Sequence, residues 1–198
     1  MSRPCRYEEA GGIFHIATRS VDERHAFGTV ADRWSFLGVL SYVVETFGWR
    51  CKSYCLMGSH YHLIVETPRP NLSLGMQQLN GRYAQQFNGR HHRRGHLFGS
   101  RFFSVLTESE SHLLAALRYV AQNPVAAGLC AKPAEWRWSS YRSTIGIEPA
   151  LGLLDVDGVL SLFDLGRSAA RKQLVQLVEG PEPPHMSGPA KLAVPDRV

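Results

Sequence analysis

The stretch Leu56-Met57-Gly58-Ser59-His60-Tyr61-His62-Leu63-Ile64-Val65-Glu66 constrains this chain more than any other. From His60 onward it is apolar, aromatic and β-branched, which predicts a buried strand from His60 to Glu66. Gly58-Ser59 reads as a tight turn, and Trp49 to Met57 as the antiparallel strand before it. Side chains alternate across a strand, so His60 and His62 project from one face while Tyr61 and Leu63 point from the other. Two imidazoles on one rigid face make half of a metal site. The spacing alone fits two surface histidines equally well, because the chain has 9. A third ligand and a reacting group have to come from elsewhere in the sequence.

The hairpin has strands and helices on both sides. Gly12 to Arg19 follows a Gly-Gly pair and reads as a first strand. Val30 to Phe47 carries Trp34, Leu37, Val39, Leu40, Val43, Val44 and Phe47 at largely helical spacing, and Gly48 stands where a helix end favours glycine. Leu72 to Asn88 repeats Leu72, Met76, Leu79, Tyr83 and Phe87 every three or four residues, a second amphipathic helix with Gly81 weakening its middle. A glycine-punctuated basic loop from Asn88 to Arg101 leads to a fourth strand, Phe102 to Leu106. A third helix begins between Thr107 and Glu110 and buries Leu113, Leu114, Leu117, Val120 and Ala121; Pro124 predicts its end near Asn123.

Strand, helix, strand, strand, helix, strand is the order of a ferredoxin-like, split βαβ fold. The fold class expected is therefore α+β: an antiparallel sheet with helices on one face, one helix added after the last strand, and a C-terminal helical extension. The extension consists of two short helices, Val156 to Phe163 and Arg167 to Val178. Between them and the third helix, Pro133 to Arg142 carries Trp136, Trp138 and Tyr141 in an irregular segment expected to lie as an apolar lid on the core. The division expected is a domain over 1–145, the extension over 146–179 and a proline-rich, disordered tail over 180–198.

At 198 residues and 44% hydrophobic content the chain can build a genuine core. No apolar run approaches a membrane span and no signal core opens the chain, so a cytoplasmic location is expected. Cys5, Cys51, Cys55 and Cys130 have neither zinc-finger nor redox spacing and read as reduced and structural. The formal charge of +5 is modest but unevenly placed. Between Thr67 and Thr107 stand Arg69, Arg82, Arg90, Arg93, Arg94 and Arg101 with no Asp or Glu, a pattern expected to meet a polyanion.

In the third helix, Tyr119 and Asn123 lie four apart and share a face if the last turn holds. Here a wider pattern becomes visible. Gly-Ser-His-Tyr-His-Leu, Gly-Arg-Tyr-Ala-Gln-Gln-Phe-Asn, Gly-His-Leu-Phe, Leu-Arg-Tyr-Val-Ala-Gln-Asn-Pro-Val-Ala-Ala-Gly-Leu and Trp-Ser-Ser-Tyr-Arg occur in that order from about Gly12 to Ser143. Together they resemble the single-tyrosine HUH transposases, and within them the REP-associated tyrosine transposases. Each piece is weak alone, and the coupling of His-x-His to Arg-Tyr-x-x-x-Asn-Pro is specific.

The resemblance implies that His60 and His62 are metal ligands, that Asn123 is a third, polar ligand and that Tyr119 is the nucleophile. It implies cleavage and rejoining of single-stranded or hairpin DNA through a 5′-phosphotyrosine linkage, with Mg²⁺ or Mn²⁺ as cofactor, by a monomer or homodimer. Storing the phosphodiester energy in a covalent intermediate removes any need for ATP. Arg82, Arg90, Arg93, Arg94 and Arg101 then become candidates for phosphate contacts, and Tyr83, Phe98 and Phe102 either stack on bases or belong to the core. The irregular spacing of His91, His92 and His96 argues against a metal cluster there.

The chain departs from the family in having Gly58-Ser59 where relatives carry Pro-Asn, and Gly99-Ser100-Arg101-Phe102 where they carry Gln-Gly-Arg-Tyr. Two other readings of the same residues stand beside this one. A ferredoxin-like regulator that binds nucleic acid without cutting would share the basic face, though it would not need His60, His62, Tyr119 and Asn123 together. A small zinc hydrolase would need an Asp or Glu base that the sequence does not set beside the histidines.

Overall fold

The computed structural model describes residues 8–21, 26–99 and 102–181. Arg101 and Cys5 lie outside them, as does the expected tail from residue 182 onward. Four strands, β1 (Gly12–Arg19), β2 (Arg50–Leu56), β3 (His60–Thr67) and β4 (Phe103–Leu106), form one sheet in the order β2-β3-β1-β4. Every neighbouring pair is antiparallel. The two central strands are thus the histidine strand β3 and β1, with Arg19 opposite His60 and Ala17 opposite His62.

Helices α1 (Val30–Phe47) and α2 (Leu72–Arg90) cover one face of this sheet. Phe36, Leu40 and Val43 of α1 and Met76, Leu79 and Tyr83 of α2 pack there against Phe14, Ile16, Tyr61, Leu63 and Val65. Thr29 starts α1 with a reciprocal cap: its hydroxyl accepts from the Asp32 amide while the Asp32 carboxylate accepts from the Thr29 amide. Gly48 ends α1 in the left-handed conformation at φ 69°, where a side chain would be strained. Trp34, placed by its spacing on the buried stripe, is instead 50% exposed, its ring edge-on to Trp138.

The opposite face of the sheet is covered by α3 (Glu110–Ala126), α4 (Tyr141–Ile145), α5 (Val156–Leu160) and α6 (Arg167–Glu179). Leu113, Leu117 and Val120 of α3, Val159 of α5 and Leu174 of α6 form a second core on Cys55 and Ile64. Lys52 of β2, almost fully buried, reaches Glu66 and Asp155 at 3.0 Å each, and Asp155 also caps α5. The residues from Trp136 to Ser140 run beside β2, with the Leu56 amide donating to the Trp138 carbonyl and the Ser140 amide to the Tyr54 carbonyl. This segment does lie on the core, as its aromatic content suggested, and it closes the β2 edge of the sheet.

One boundary differs in a way that matters. The third helix does not stop near Asn123 but continues through Pro124 to Ala126. Proline there removes one backbone donor and disfavours helical geometry at the preceding residue. The structure compensates locally: Pro124 is buried, the Ala127 amide donates to the Asn123 carbonyl, and the Asn123 side chain donates to the Tyr119 carbonyl at 3.2 Å. Both Tyr119 and Asn123 are therefore held on regular helix.

Candidate active site

The site lies between β3, β1 and α3. Strand alternation puts Tyr61, Leu63 and Val65 into the first core and leaves His60, His62 and Ile64 on the α3 side. The His60 and His62 rings stand nearly perpendicular with centroids 5.2 Å apart. Tyr119 approaches from α3, its ring edge-on to His62 at 5.5 Å. Asn123, one turn further, interacts through its side chain with both histidines. Arg118, next to Tyr119, braces the helix by donating from its guanidinium to the Leu177, Val178 and Gly180 carbonyls at the end of α6.

Electrostatics keep the rings neutral. Burial first, then the Arg19 guanidinium, pull His60 down to about 4, against the Asn123 interaction. His62 is held well below its ordinary value by burial and then by His15 and His60. An imidazole that stays unprotonated through neutral pH offers a lone pair to a cation.

The donor set fits a divalent ion. His62 is 1% exposed and its Nε2 atom is buried without any hydrogen-bond partner. Since Asn123 spends its amide nitrogen on the Tyr119 carbonyl, its oxygen is the atom left for a ligand. Among the described residues no three His, Cys, Asp or Glu side chains group in a metal-holding way, so an amide oxygen is needed to complete a protein triad. Two imidazoles and an oxygen would leave positions open for substrate and water.

Two residues of the site were not singled out from the sequence. His15 of β1 is fully buried, with its Nε2 3.1 Å from His62 Nδ1, and its ring meets Tyr119 edge-on at 5.6 Å. Arg19, two residues after Ala17 on the same face, lies opposite His60. Their parity within β1 was readable, and the ferredoxin-like order expected sets β1 beside β3; the register that puts Arg19 opposite His60 was not readable.

The arginines fall elsewhere. Arg82 of α2 donates to Gln78 and stacks over the Tyr42 ring at 4.4 Å, on the outer surface of the α1/α2 layer. Arg90 is bound to the buried Asp32 at 3.0 Å. Arg93 stands over Phe87 at 5.7 Å, and Arg94 is exposed. Arg82 and Arg90 thus belong to the helical layer on the far side of the sheet from Tyr119. Nor is Tyr83 a stacking platform: it is fully buried with its hydroxyl on the Ala26 carbonyl, and Phe102 is buried as well.

A chain with this fold has counterparts among known proteins. The family model for IS200-like transposases matches residues 11–123, and the chain belongs to that family. The match runs from the start of β1 to the last residue of the site. No sequence match among curated proteins was found. Among solved structures, the REP-associated tyrosine transposase bound to a REP hairpin superposes with a TM-score of 0.64 at 17% identity, over 79% of this chain and 90% of that one. A protein from Deinococcus radiodurans R1 assigned as a transposase matches at 18% identity over 62% of this chain and 95% of its own, with a TM-score of 0.42.

Proposed function

We propose that this protein cleaves and rejoins single-stranded DNA, with Tyr119 as nucleophile and His60, His62 and Asn123 as ligands of Mg²⁺ or Mn²⁺. The observation that carries the reading is that Tyr119 and Asn123 of α3 meet His60 and His62 of β3, where the buried His62 Nε2 has no hydrogen-bond partner. A regulator that only binds DNA has no use for that arrangement.

The phenolic oxygen of Tyr119 attacks the phosphorus of a phosphodiester, an O–P bond to tyrosine forms, and the bond to the 3′ oxygen breaks. The departing 3′-hydroxyl takes up a proton. Attack by a second 3′-hydroxyl on the phosphotyrosine reverses the step and joins strands, so no external energy source is needed. A divalent cation at the site would polarise a non-bridging oxygen and offset the charge that builds up during displacement. Arg19, beside His60, adds fixed positive charge at the same end of the sheet.

The substrate class is DNA with an unpaired segment next to a hairpin, as the family and the fold shared with a hairpin-bound transposase support. The test is incubation with hairpin oligonucleotides drawn from the flanks of the protein's own gene, with Mn²⁺, and detection of a covalent adduct on a denaturing gel. Wild type forms the adduct, Tyr119→Phe forms none and still binds DNA, and His60→Ala or His62→Ala cuts poorly with an intact nucleophile. Asn123→Ala falls between, because water can replace one oxygen ligand. Tyr83→Phe serves as the control, and an adduct that depended on Tyr83 instead of Tyr119 would overturn the assignment.

A further inference from the structure

We propose that His15 is a positioning residue for His62: its Nε2 accepts the Nδ1–H of His62 and so holds the His62 Nε2 lone pair open for the divalent cation. This rests on the metal site proposed above.

The geometry allows one pairing that serves a metal. The His15 Nε2 and His62 Nδ1 atoms are 3.1 Å apart in a region sealed from water, His15 being 0% and His62 1% exposed. A neutral imidazole carries one N–H and one lone pair, so a hydrogen bond through Nδ1 decides what Nε2 is. If His15 donated, the His62 proton would sit on Nε2 and block coordination. If His62 donates, its Nε2 is a bare lone pair, and that atom has no hydrogen-bond partner among the described residues. Ligating histidines usually give their second N–H to a carboxylate or carbonyl, which fixes the ring and raises its basicity. Here the acceptor is another imidazole, and the two rings lie nearly parallel, 15° apart with centroids at 5.3 Å.

The arrangement reaches the nucleophile as well. His15 and His62 both meet the Tyr119 ring edge-on, at 5.6 and 5.5 Å, so the pair forms one wall of the tyrosine's pocket. In this pairing His15 is not itself a third ligand: its Nε2 lone pair is engaged by His62 and its own proton sits on Nδ1, so neither nitrogen has a lone pair to give.

The test compares Mn²⁺ affinity, by calorimetry on DNA-free protein, in wild type, His15→Leu and His15→Gln. Leucine fills the space without an acceptor, whereas glutamine supplies an oxygen that can receive the His62 proton. His15→Leu is expected to bind Mn²⁺ about 10- to 100-fold more weakly, the range for losing such an outer partner, and His15→Gln to recover most of the loss. Affinity unchanged in His15→Leu, with wild-type binding that His62→Ala abolishes, would overturn the role of His15 and leave the metal site standing. Equal losses in both variants would also overturn it, because packing and not proton acceptance would then be at stake. Absence of Mn²⁺ binding in wild type would remove the metal site and this role with it. Nitrogen NMR of wild type loaded with diamagnetic Zn²⁺ gives a readout independent of variant folding: the shared proton belongs on His62 Nδ1, and a proton on His15 Nε2 would overturn the proposal.

Discussion

Asp32 is closed to solvent yet charged, and four groups keep it so. Its carboxylate accepts from the Thr29 amide and hydroxyl at 2.9 and 2.8 Å, from Arg90 at 3.0 Å and from His91 at 2.9 Å. Burial alone would raise its pKa, but the bonds from His91, Thr29 and Arg90 outweigh that and hold it below the usual carboxylate value. A depressed carboxylate pKa stabilises the fold above the unfolded pKa of about 3.9, and that contribution disappears as pH falls through the lower folded value. Asp32→Asn should therefore cost about 1–2 kcal/mol near pH 7, since charge-assisted hydrogen bonds are lost while Arg90 and His91, each about a third exposed, keep part of their solvation. The difference from wild type should shrink at pH values below the ordinary carboxylate range, as chemical denaturation at several pH values would show. A constant difference down to the lowest pH would mean that the charge of Asp32 is not what links the two helices. The sequence showed Arg90 only as a free cation in a basic stretch, because its partner lies 58 positions away.

At the scale of elements, two of the three glycines of α2 have opposite roles. A Cβ on Gly75 would come within 2.1 Å of the Trp49 ring, whose indole N–H donates to Asn71 and is fixed in place. Gly75→Ala should destabilise by about 1–3 kcal/mol through overpacking. Gly81, where a Cβ would meet nothing within 4 Å, has only the entropy cost of glycine in a helix. Gly81→Ala should stabilise by roughly 0.5–1 kcal/mol. Opposite shifts in urea midpoint with equal m-values would confirm the pair, whereas a loss of stability in both would show that α2 tolerates no side chain at either glycine. The helical spacing of α2 could be read from its apolar residues, but the close approach of Trp49 belongs to another element and left no local mark. The same holds for α3: its existence and face followed from its apolar stripe, while its passage through Pro124 accompanies burial of that ring by the tertiary fold.

Across the whole molecule, the function proposed above requires a DNA surface set by charge and by access to Tyr119. Arg93 and Arg94 follow α2 in the loop, and neither is tied to a carboxylate among the described contacts. If both neutralise phosphates, Arg93→Ala with Arg94→Ala should weaken DNA binding and reduce the slope of log affinity against log salt by about 1.4, at roughly 0.7 per phosphate of single-stranded DNA. An unchanged slope in fluorescence anisotropy would remove the loop from the DNA surface. Arg82 serves as the comparison, because its guanidinium lies on Tyr42 on the outer helical layer.

The sequence by itself determined the order of strands and helices, the shared face of His60 and His62, and the face that unites Tyr119 with Asn123. These are properties of local periodicity: two residues per repeat in a strand and 3.6 in a helix place side chains relative to their own backbone. The ferredoxin-like order expected sets β1 beside β3, and only the tertiary structure decided the register of that pair, which brings His15 to His62 Nδ1 and Arg19 opposite His60. It alone decided that α3 lies across the face of the sheet opposite α1 and α2, setting Tyr119 against His62. The reason is physical: strand register and helix docking are chosen by burial and backbone pairing between segments far apart in the chain, and no single segment carries that choice in its own pattern.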